Sequence, residues 1–279
     1  MSGGFRKRFI TLLAVSLAIS FVSACAALSG PPRNDRAWYP YLSRTSQVGL
    51  DTERFQVKPV LDWSYDSAGE TAETLDAADY ALSDLRDVWF VLEPQPGSKL
   101  AAHTFLIFEF TGDRLLGVTI EARRETHEDY SAIAGLFNKY ELAYVWGSAR
   151  DLLTRRAVML NHDVFMYPLA LKPEWKHDLL TRMLQRTKDL ETTPRYYNTL
   201  TSNCTNEIAK ATDLKWDRSF ILTGLADEHL YKLKLIPGPS FDEAHERSTI
   251  SPFVRDLNAA PKQEFDARLL AELRRRGTT

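Results

Sequence analysis

Hydrophobic and polar residues alternate along several short stretches of this chain, a pattern typical of half-buried β-strands. The clearest two stretches are 103–110 and 115–122, which are separated by a turn around Gly112 and Asp113. A three-residue loop, 111–113, would join them as an antiparallel hairpin. Further strands are predicted at 55–65, 88–93, 144–146 and 164–169, and an acidic stretch, 67–84, separates the first two of these.

The apolar faces of the two hairpin strands fix their register. Even-numbered apolar residues share one face of each strand: Leu106, Phe108 and Phe110 on the first, and Leu116, Val118 and Ile120 on the second. If both sets lie on the same side of the sheet, the three-residue loop places His103 directly opposite Glu121 on the other side. Side chains opposed in this way have Cβ atoms about 5 Å apart. We therefore expect His103 and Glu121 to be neighbours.

Apolar residues recur at helical spacing in two longer segments. The stronger segment is 172–190, in which Pro173 suits the first turn. Its expected buried stripe is Trp175, Leu179, Leu180, Met183 and Leu184. A second helix is predicted over 131–140, with a stripe of Ile133, Leu136, Phe137 and Tyr140. A short helix is predicted to begin at Cys204, capped by Asn203 or Ser202. These elements together predict an α+β fold.

The N-terminus has the features of a bacterial secretory signal. Three basic residues at 6–8 precede an apolar run, 10–22, that is too short to span a bilayer comfortably. The sequence Val-Ser-Ala-Cys at 22–25 resembles a lipobox, in which Cys25 would be diacylated and become the first residue of the mature chain. Ordinary cleavage near Ala24 and an uncleaved anchor are the alternatives. Because Ala26 rather than Asp follows, we expect an outer-membrane lipoprotein that faces the periplasm.

Composition narrows the classes of function. The 279 residues are 44% hydrophobic and 11% aromatic, which is enough for a sizeable core in one large or two small domains. A net charge of −2 offers no field for binding a polyanion, so a nucleic-acid partner is not expected. No second stretch approaches the length of a membrane span.

The two cysteines have different predicted fates. If processing modifies Cys25, Cys204 has no partner for an intramolecular disulfide, and an unpaired thiol in an exported protein is a candidate nucleophile. At a helix N-terminus this thiol would gain from unpaired backbone N–H groups, which could also stabilise an oxyanion. A small buried hydrophobic residue is the plainer alternative.

A cysteine nucleophile requires a base and a group that orients the base. His103 is the best candidate base, and Glu121 across the hairpin would fix its tautomer. A structural histidine and an ion-paired strand end beside Arg123 and Arg124 are the alternatives. Plausible metal ligands are also present in His103, His127, His162, Glu125 and Glu128. No pair of these residues has the helical spacing of a zinc motif, so neither a metal nor a cofactor is expected.

Several segments of the chain together resemble one known family. They are 102–105, 121–125, 140–146, 197–205 and 221–227 with the following Tyr231. In this order they resemble the periplasmic domain of the Lnb-type lipoprotein N-acyltransferases, over roughly 55–253. More remotely, a histidine on an early strand and an Asn-Cys pair at a later helix start are similar to circularly permuted NlpC-type, papain-like cysteine enzymes. His103, Glu121 and Cys204 match the three active positions of that class.

The resemblance implies a papain-like fold, with an antiparallel sheet packed on helices, and a reaction of acyl transfer. Cys204 would take an acyl chain from a membrane lipid as a thioester and pass it to an amine, such as the N-terminus of a lipoprotein. Tyr197, Asn198 and Asn203 would shape the loop. Arg123 or Arg124 would meet a phosphate or carboxylate, although both could equally be structural.

Two other functions stay open: a thiol amidase or peptidase that acts on cell-wall peptides, and a non-catalytic envelope binding module. The expected organisation is a signal peptide at 1–24, a lipid-anchored tether at 25–35, a catalytic domain at 36–255 and an amphipathic tail at 256–279. The transferases resembled carry membrane-spanning helices after the periplasmic domain, whereas the tail here is amphipathic. We therefore expect lipid access to depend on the Cys25 anchor.

Overall fold

A computed structural model describes residues 30–277, so the predicted signal peptide and Cys25 lie outside the described residues. Residues 30–277 contain ten strands: β1 Gln47–Leu50, β2 Arg54–Leu61, β3 Ser64–Asp66, β4 Gly69–Ala72, β5 Leu75–Ala81, β6 Leu85–Pro94, β7 Ala102–Phe110, β8 Arg114–Arg123, β9 Glu141–Ser148 and β10 Phe165–Pro168. The described part of the chain also contains nine α-helices: α1 Pro40–Ser43, α2 Ala132–Gly135, α3 Ala149–Thr154, α4 Pro173–Thr192, α5 Cys204–Lys210, α6 Ala226–Lys232, α7 Phe241–Ser248, α8 Ser251–Asp256 and α9 Lys262–Arg275. The predicted α+β class is confirmed.

Eight of the strands form one sheet in the order β1-β2-β9-β8-β7-β6-β10, with β5 paired to β2, while β3 and β4 form a small hairpin of their own. The pairs are antiparallel except where β2 meets β9, at Leu61 opposite Gly147. The sheet is therefore mixed, and the prediction of an antiparallel sheet is wrong at this point. β9 reaches β2 through intervening strands rather than through a tight turn, and such a long connection permits parallel pairing.

The central hairpin has the predicted register. Phe105 lies opposite Thr119 and Phe110 lies opposite Arg114. The loop consists of residues 111–113, in which Gly112 and Asp113 take positive φ angles of 77° and 52°. Such angles suit glycine and, less readily, aspartate. The turn chemistry therefore fixes the same register as the apolar faces.

Both faces of this sheet are buried, which explains why β7 is apolar at odd as well as even positions. The even-numbered residues of β7 pack with α4, α5, α6 and α7 in one core. Phe105 and Ile107 pack on the other face with α3, α8 and α9. His103 shares the odd-numbered face. The arrangement is helices on both sides of a sheet, and the candidate site lies where β7 begins and β8 ends.

Some predicted elements differ from the structure. The predicted strand 55–65 is divided between β2 and β3, and the acidic stretch 67–84 contains β4 and β5. In β5 the acidic side chains face solvent while Ala78 and Tyr80 are buried. An edge strand with one wet face accommodates such residues. These two strands were not among those predicted, because acidic residues on a solvent-facing side hide the strand pattern.

Two predicted helical stripes also need correction. The helix predicted over 131–140 is only the four-residue α2, and Ile133 in it is 71% exposed. Asn138 takes a positive φ of 55°, which is incompatible with a continuing α-helix. The long helix α4 forms as predicted, but Trp175 in its first turn is 52% exposed. Its ring lies 5.5 Å from the Lys172 ammonium instead of in the core.

The C-terminal amphipathic segment packs into the main fold. α9 buries its apolar stripe completely against the sheet: Phe265, Leu269, Leu270 and Leu273. Within residues 30–277, no helix combines the length and apolar character needed to cross a membrane.

Candidate active site

A cavity of about 350 Å³ opens where the first residues of β7, the last residues of β8 and the start of α5 meet. Cys204, His103 and Glu121 all line it. The hairpin register places His103 beside Glu121, and the packing of α5 on β7 and β8 brings in the cysteine. The three residues predicted from distant parts of the sequence therefore share one cavity.

The loop before α5 is held by its own asparagines. Asn203 is the N-cap, as predicted, because its side chain accepts a hydrogen bond from the Asn206 amide at 2.8 Å. Its Nδ2 donates to the carbonyl oxygens of Thr199 and Phe220. The Asn198 carboxamide accepts from the two backbone amides that follow Thr199. These bonds fix the position from which Cys204 enters the cavity.

Cys204 is a free thiol at the first position of α5, and only 4% of its surface is exposed. Burial disfavours the thiolate, but a hydrogen bond from His103, the charge of that histidine and contacts with Thr104 outweigh this effect and lower the pKa of Cys204. Thr104 is itself fixed, since its hydroxyl lies 2.9 Å from the Thr205 hydroxyl. The side chain therefore has the electrostatic setting of a reactive cysteine.

His103 contacts two acceptors on β8. Its Nε2 lies 2.6 Å from the Thr119 hydroxyl and 3.3 Å from Glu121 Oε1. The Thr119 hydroxyl donates to Glu121 at 2.7 Å, so it accepts a hydrogen bond from the N–H group at His103 Nε2. Because Nε2 is engaged with Thr119, Nδ1 is the ring nitrogen available to interact with Cys204. Burial opposes the charged ring, but the negative charge of Glu121 and the bond with Cys204 raise the pKa of His103 to about 10.

Glu121 remains ionised for matching reasons. Burial would raise its pKa, but the charges of His103 and Arg156 and the hydrogen bond from Thr119 lower the pKa well below the usual range. The side chains of His103 and Glu121 are 17% and 22% exposed, so the pair is shielded from bulk water but open to the cavity. The arrangement is a thiol of lowered pKa, an imidazole of raised pKa and a carboxylate of lowered pKa in series.

Four further polar residues belong to this site: Thr119, Arg156, Glu93 and His162, of which the sequence suggested only His162, and that as a metal ligand. Arg156 comes from a π-helical turn, Arg155–Met159, that follows α3. Its guanidinium joins two carboxylates, with nitrogens 3.2 Å from Glu121 Oε1 and 2.9 Å from Glu93 Oε2. The second carboxylate, Glu93, holds His162 Nδ1 at 2.5 Å. Arg156 therefore links two histidine–glutamate pairs in one cavity wall.

Only one of these four had a usable signal in the sequence for its position in this site. Thr119 lies two residues before Glu121 and so projects from the same face of β8. Arg156 and His162 lie in the segment that follows α3. The sequence of this segment has no periodic pattern that predicts its position beside the site. Glu93 was assigned to a strand, but its partner across the sheet, His103, could not be deduced without the pairing of β6 with β7.

The two predicted arginines have different surroundings. Arg123 is buried outside the cavity lining, where it donates to the carbonyl oxygens of Leu42 and Ser43 and lies 4.3 Å from the Trp38 ring. Burial lowers its pKa to about 10. Arg124 lines the cavity, 5.6 Å above the Tyr39 ring, and within residues 30–277 it has no carboxylate partner.

Tyr197 and Tyr130 form part of the opposite wall, with their hydroxyl oxygens 3.3 Å apart. In the part of the chain that the structure describes, no group of three or more His, Cys, Asp or Glu side chains is placed to hold a metal ion.

Comparison with known proteins gives one result at the level of a family. A model of the Lnb N-terminal periplasmic domain matches residues 71–233, which is more than half of the chain. The matched segment includes His103, Glu121 and Cys204, together with Arg156. Neither a curated protein nor a solved structure matches the chain.

Proposed function

The chain belongs to the family of Lnb N-terminal periplasmic domains, and on that basis we propose that it is a cysteine-dependent acyltransferase of the cell envelope. Cys204 would take an acyl chain from a lipid donor and pass it to an amine, such as the N-terminus of a lipoprotein. The single observation that carries the proposal is the buried series of Cys204, His103 and Glu121 beside an open cavity.

In the first half-reaction, the Cys204 thiolate attacks the carbonyl carbon of a lipid ester. A carbon–sulfur bond forms and the carbon–oxygen bond of the ester breaks. The His103 imidazolium donates its proton to the departing alkoxide, which leaves as an alcohol on the lysolipid. The products in the site are a Cys204 thioester and a neutral His103.

In the second half-reaction, the acceptor amine attacks the thioester carbonyl. The neutral His103 accepts the proton that the amine loses, a carbon–nitrogen bond forms, and the carbon–sulfur bond breaks. The Cys204 thiolate and the His103 imidazolium are thereby restored. Glu121 keeps the imidazole oriented and stabilises its charged form in both halves, the role of the third member of a catalytic triad.

The cavity lining is compatible with a phospholipid donor. Apolar side chains such as Leu42, Leu160 and Ile221 line it beside the reacting residues. Arg124 supplies a cation that stacks on Tyr39 and has no carboxylate partner within residues 30–277. We assign Arg124 to the phosphate of the donor, since a guanidinium suits a phosphate in geometry and charge. Arg123, which is held by backbone carbonyls, has a structural role.

The same geometry bears on the other candidate functions. Cys204 and His103 line the same cavity and shift each other's pKa toward the charged forms, which supports an enzyme rather than a non-catalytic binding module. A thiol amidase or peptidase would use the same nucleophile, with water in place of the amine. The apolar part of the lining favours an acyl chain over a cell-wall peptide. We further propose that Cys25 is diacylated and anchors the protein at the outer membrane, with the domain in the periplasm.

The proposal is tested by intact-mass analysis of the purified protein after incubation with phospholipid vesicles. The wild type is expected to gain the mass of one acyl chain, which a lipoprotein peptide with a free N-terminus then removes as its amide. Cys204→Ala should gain nothing, and Arg123→Lys serves as a control away from the cavity. Cleavage of cell-wall peptides without acyl adduct would replace the proposal with the amidase alternative.

A further inference from the structure

Exposed apolar side chains are concentrated around the mouth of the Cys204 cavity. Nine large hydrophobic side chains within residues 30–277 are exposed. Five of them either line the cavity or are next in sequence to a residue that does. We call these five the apolar rim: Leu100, Tyr130, Ile133, Leu160 and Leu200. Their exposure ranges from 42% for Leu160 to 71% for Ile133. Such clustering marks an interaction surface.

The rim is built on segments that are tied to one another. The Thr199 hydroxyl donates to the Ala132 carbonyl at 2.6 Å, and the Thr199 amide bonds the Gly135 carbonyl at 3.3 Å. These bonds join the segments that carry Leu200 and Ile133. Leu100 is fixed from another direction, since its carbonyl accepts from the Gly224 amide at 3.1 Å. The segments that carry these apolar side chains are therefore held in place by hydrogen bonds.

The charges beside the rim suit an anionic lipid layer. Lys99 and Arg124 have no carboxylate partner within residues 30–277. The neighbouring Glu128 is paired with Lys139, and Glu125 shares Arg36 with Glu141, while Asp129 is, among the described residues, an unpaired carboxylate nearby. Cations that flank exposed apolar side chains favour a surface of lipid headgroups.

The path of the chain provides an independent indication. The carbonyl of Gly30, where the described chain begins, accepts a hydrogen bond from the Tyr196 hydroxyl at 3.2 Å. Tyr196 precedes Tyr197 of the cavity wall. Only four residues separate Cys25 from Gly30, so the two Cα atoms lie at most about 17 Å apart. A lipid at Cys25 would therefore hold this side of the domain close to the membrane.

We propose that the apolar rim docks on the surface of an anionic lipid membrane, so that the Cys204 cavity opens directly onto the acyl layer. The inference rests on the proposed function for its purpose, since a lipid donor could then enter the cavity without crossing water. Docking itself requires only the rim, its cations and the anchor. It therefore makes a prediction that does not depend on acyl transfer.

The test measures the depth of single residues in a membrane, because the anchor would hold every variant on vesicles. In a Cys204→Ser background, Ile133→Cys and Leu200→Cys place an environment-sensitive fluorophore on the rim. Trp216→Cys is the matched control, since Trp216 is 69% exposed and does not line the cavity. The full lipoprotein is reconstituted into vesicles of phosphatidylethanolamine and phosphatidylglycerol that contain a spin-labelled quencher in the acyl layer.

Quenching at least about threefold stronger at 133 and 200 than at 216 is expected, and it should weaken when phosphatidylcholine replaces the anionic lipid. Equal quenching at all three positions, or none, would overturn docking. Shielding of the rim fluorophores in lipid-free detergent, together with a dimeric mass by light scattering, would assign the rim to a second copy and also overturn it. The Cys204→Ser background forms no thioester, so loss of acyl adducts in the wild type with retained quenching would refute only the proposed function.

Discussion

His103→Gln tests the central electrostatic feature of the site. The substitution removes the imidazolium that hydrogen-bonds Cys204 and lowers the pKa of the thiol, but it keeps a polar side chain of similar reach. Burial disfavours a thiolate. Without the imidazolium, we therefore expect Cys204 to titrate at or above its ordinary pKa of 9.0.

The sign of the pH dependence follows from the two pKa shifts. A lowered pKa of Cys204 means that the thiolate persists as the pH falls below 9.0, and a raised pKa of His103 means that the imidazolium persists until the pH approaches about 10. The ion pair therefore occupies a pH window that begins below 9.0 and ends at about 10. In His103→Gln the thiolate should appear only as the pH rises through the upper part of that window.

The magnitude follows from the fraction of thiolate. A thiol of pKa 9 is ionised to about 1% at pH 7, and each further unit is a factor of ten. Thiolates of low pKa are intrinsically less nucleophilic. On a logarithmic scale, this loss of rate cancels somewhat less than half of the gain that comes from the larger thiolate fraction. While both pKa values lie above 7, each unit by which the wild-type pKa lies below that of the variant therefore slows alkylation of the variant at pH 7 by about three- to fourfold.

The assay is the rate of iodoacetamide alkylation of Cys204, followed by mass spectrometry between about pH 6 and pH 10. The small reagent can reach the thiol because Cys204 lines the cavity. His162→Gln is the matched control, since it is the same substitution in the same cavity on the other side of Arg156. Coincident pH profiles for the wild type and His103→Gln, or an equal shift in both variants, would refute the assigned role of His103.

Two further predictions concern the supports of the site. Arg156→Met leaves Glu93 and Glu121 without their shared cation, so the free energy of unfolding in urea should fall by about 3–5 kcal/mol. Arg268→Met, which breaks an exposed pair, should cost under about 1 kcal/mol, and equal losses would contradict this. Gly224→Ala would put a Cβ 2.5 Å from the Lys99 carbonyl oxygen, so we expect a loss of about 1–3 kcal/mol by thermal unfolding. Gly49→Ala, whose new Cβ would have its nearest contact at 3.7 Å, should be nearly neutral. Equal losses of stability in the two variants would contradict the predicted clash at Gly224.

The parts of the site that could be predicted are those that local chemistry determines. The alternation of apolar residues and the loop around Gly112 fix the hairpin register, and this register alone puts His103 beside Glu121. Asn203 identifies the start of α5 because its side chain caps the helix. Both inferences need only the residues of one or two neighbouring elements.

The parts that could not be predicted depend on packing between distant elements. Arg156 reaches Glu121 because the chain after α3 forms a π-helical turn across the sheet, and no spacing in the sequence indicates this. Exposure was misjudged for a similar reason. Trp175 has the spacing of a buried residue, yet it lies in the first turn of α4, where its ring packs on Lys172 rather than on the sheet. Periodicity identifies a face of a helix but not the depth to which each turn is covered.

The raised pKa of His103 has different consequences for the two halves of the proposed reaction. Once Cys204 is a thioester, its negative charge is gone, but Glu121, the stronger of the two causes that raise the pKa of His103, is unchanged. A neutral His103 beside this carboxylate is therefore a stronger base than a free imidazole, and an α-amine, with a pKa of about 7.7–8.0, gives up its proton readily to such a group. Arg156 keeps Glu121 ionised through both halves. Glu121, kept ionised by Arg156, therefore matters most to the transfer onto the amine. This step distinguishes an acyltransferase from a site that only accepts an acyl chain.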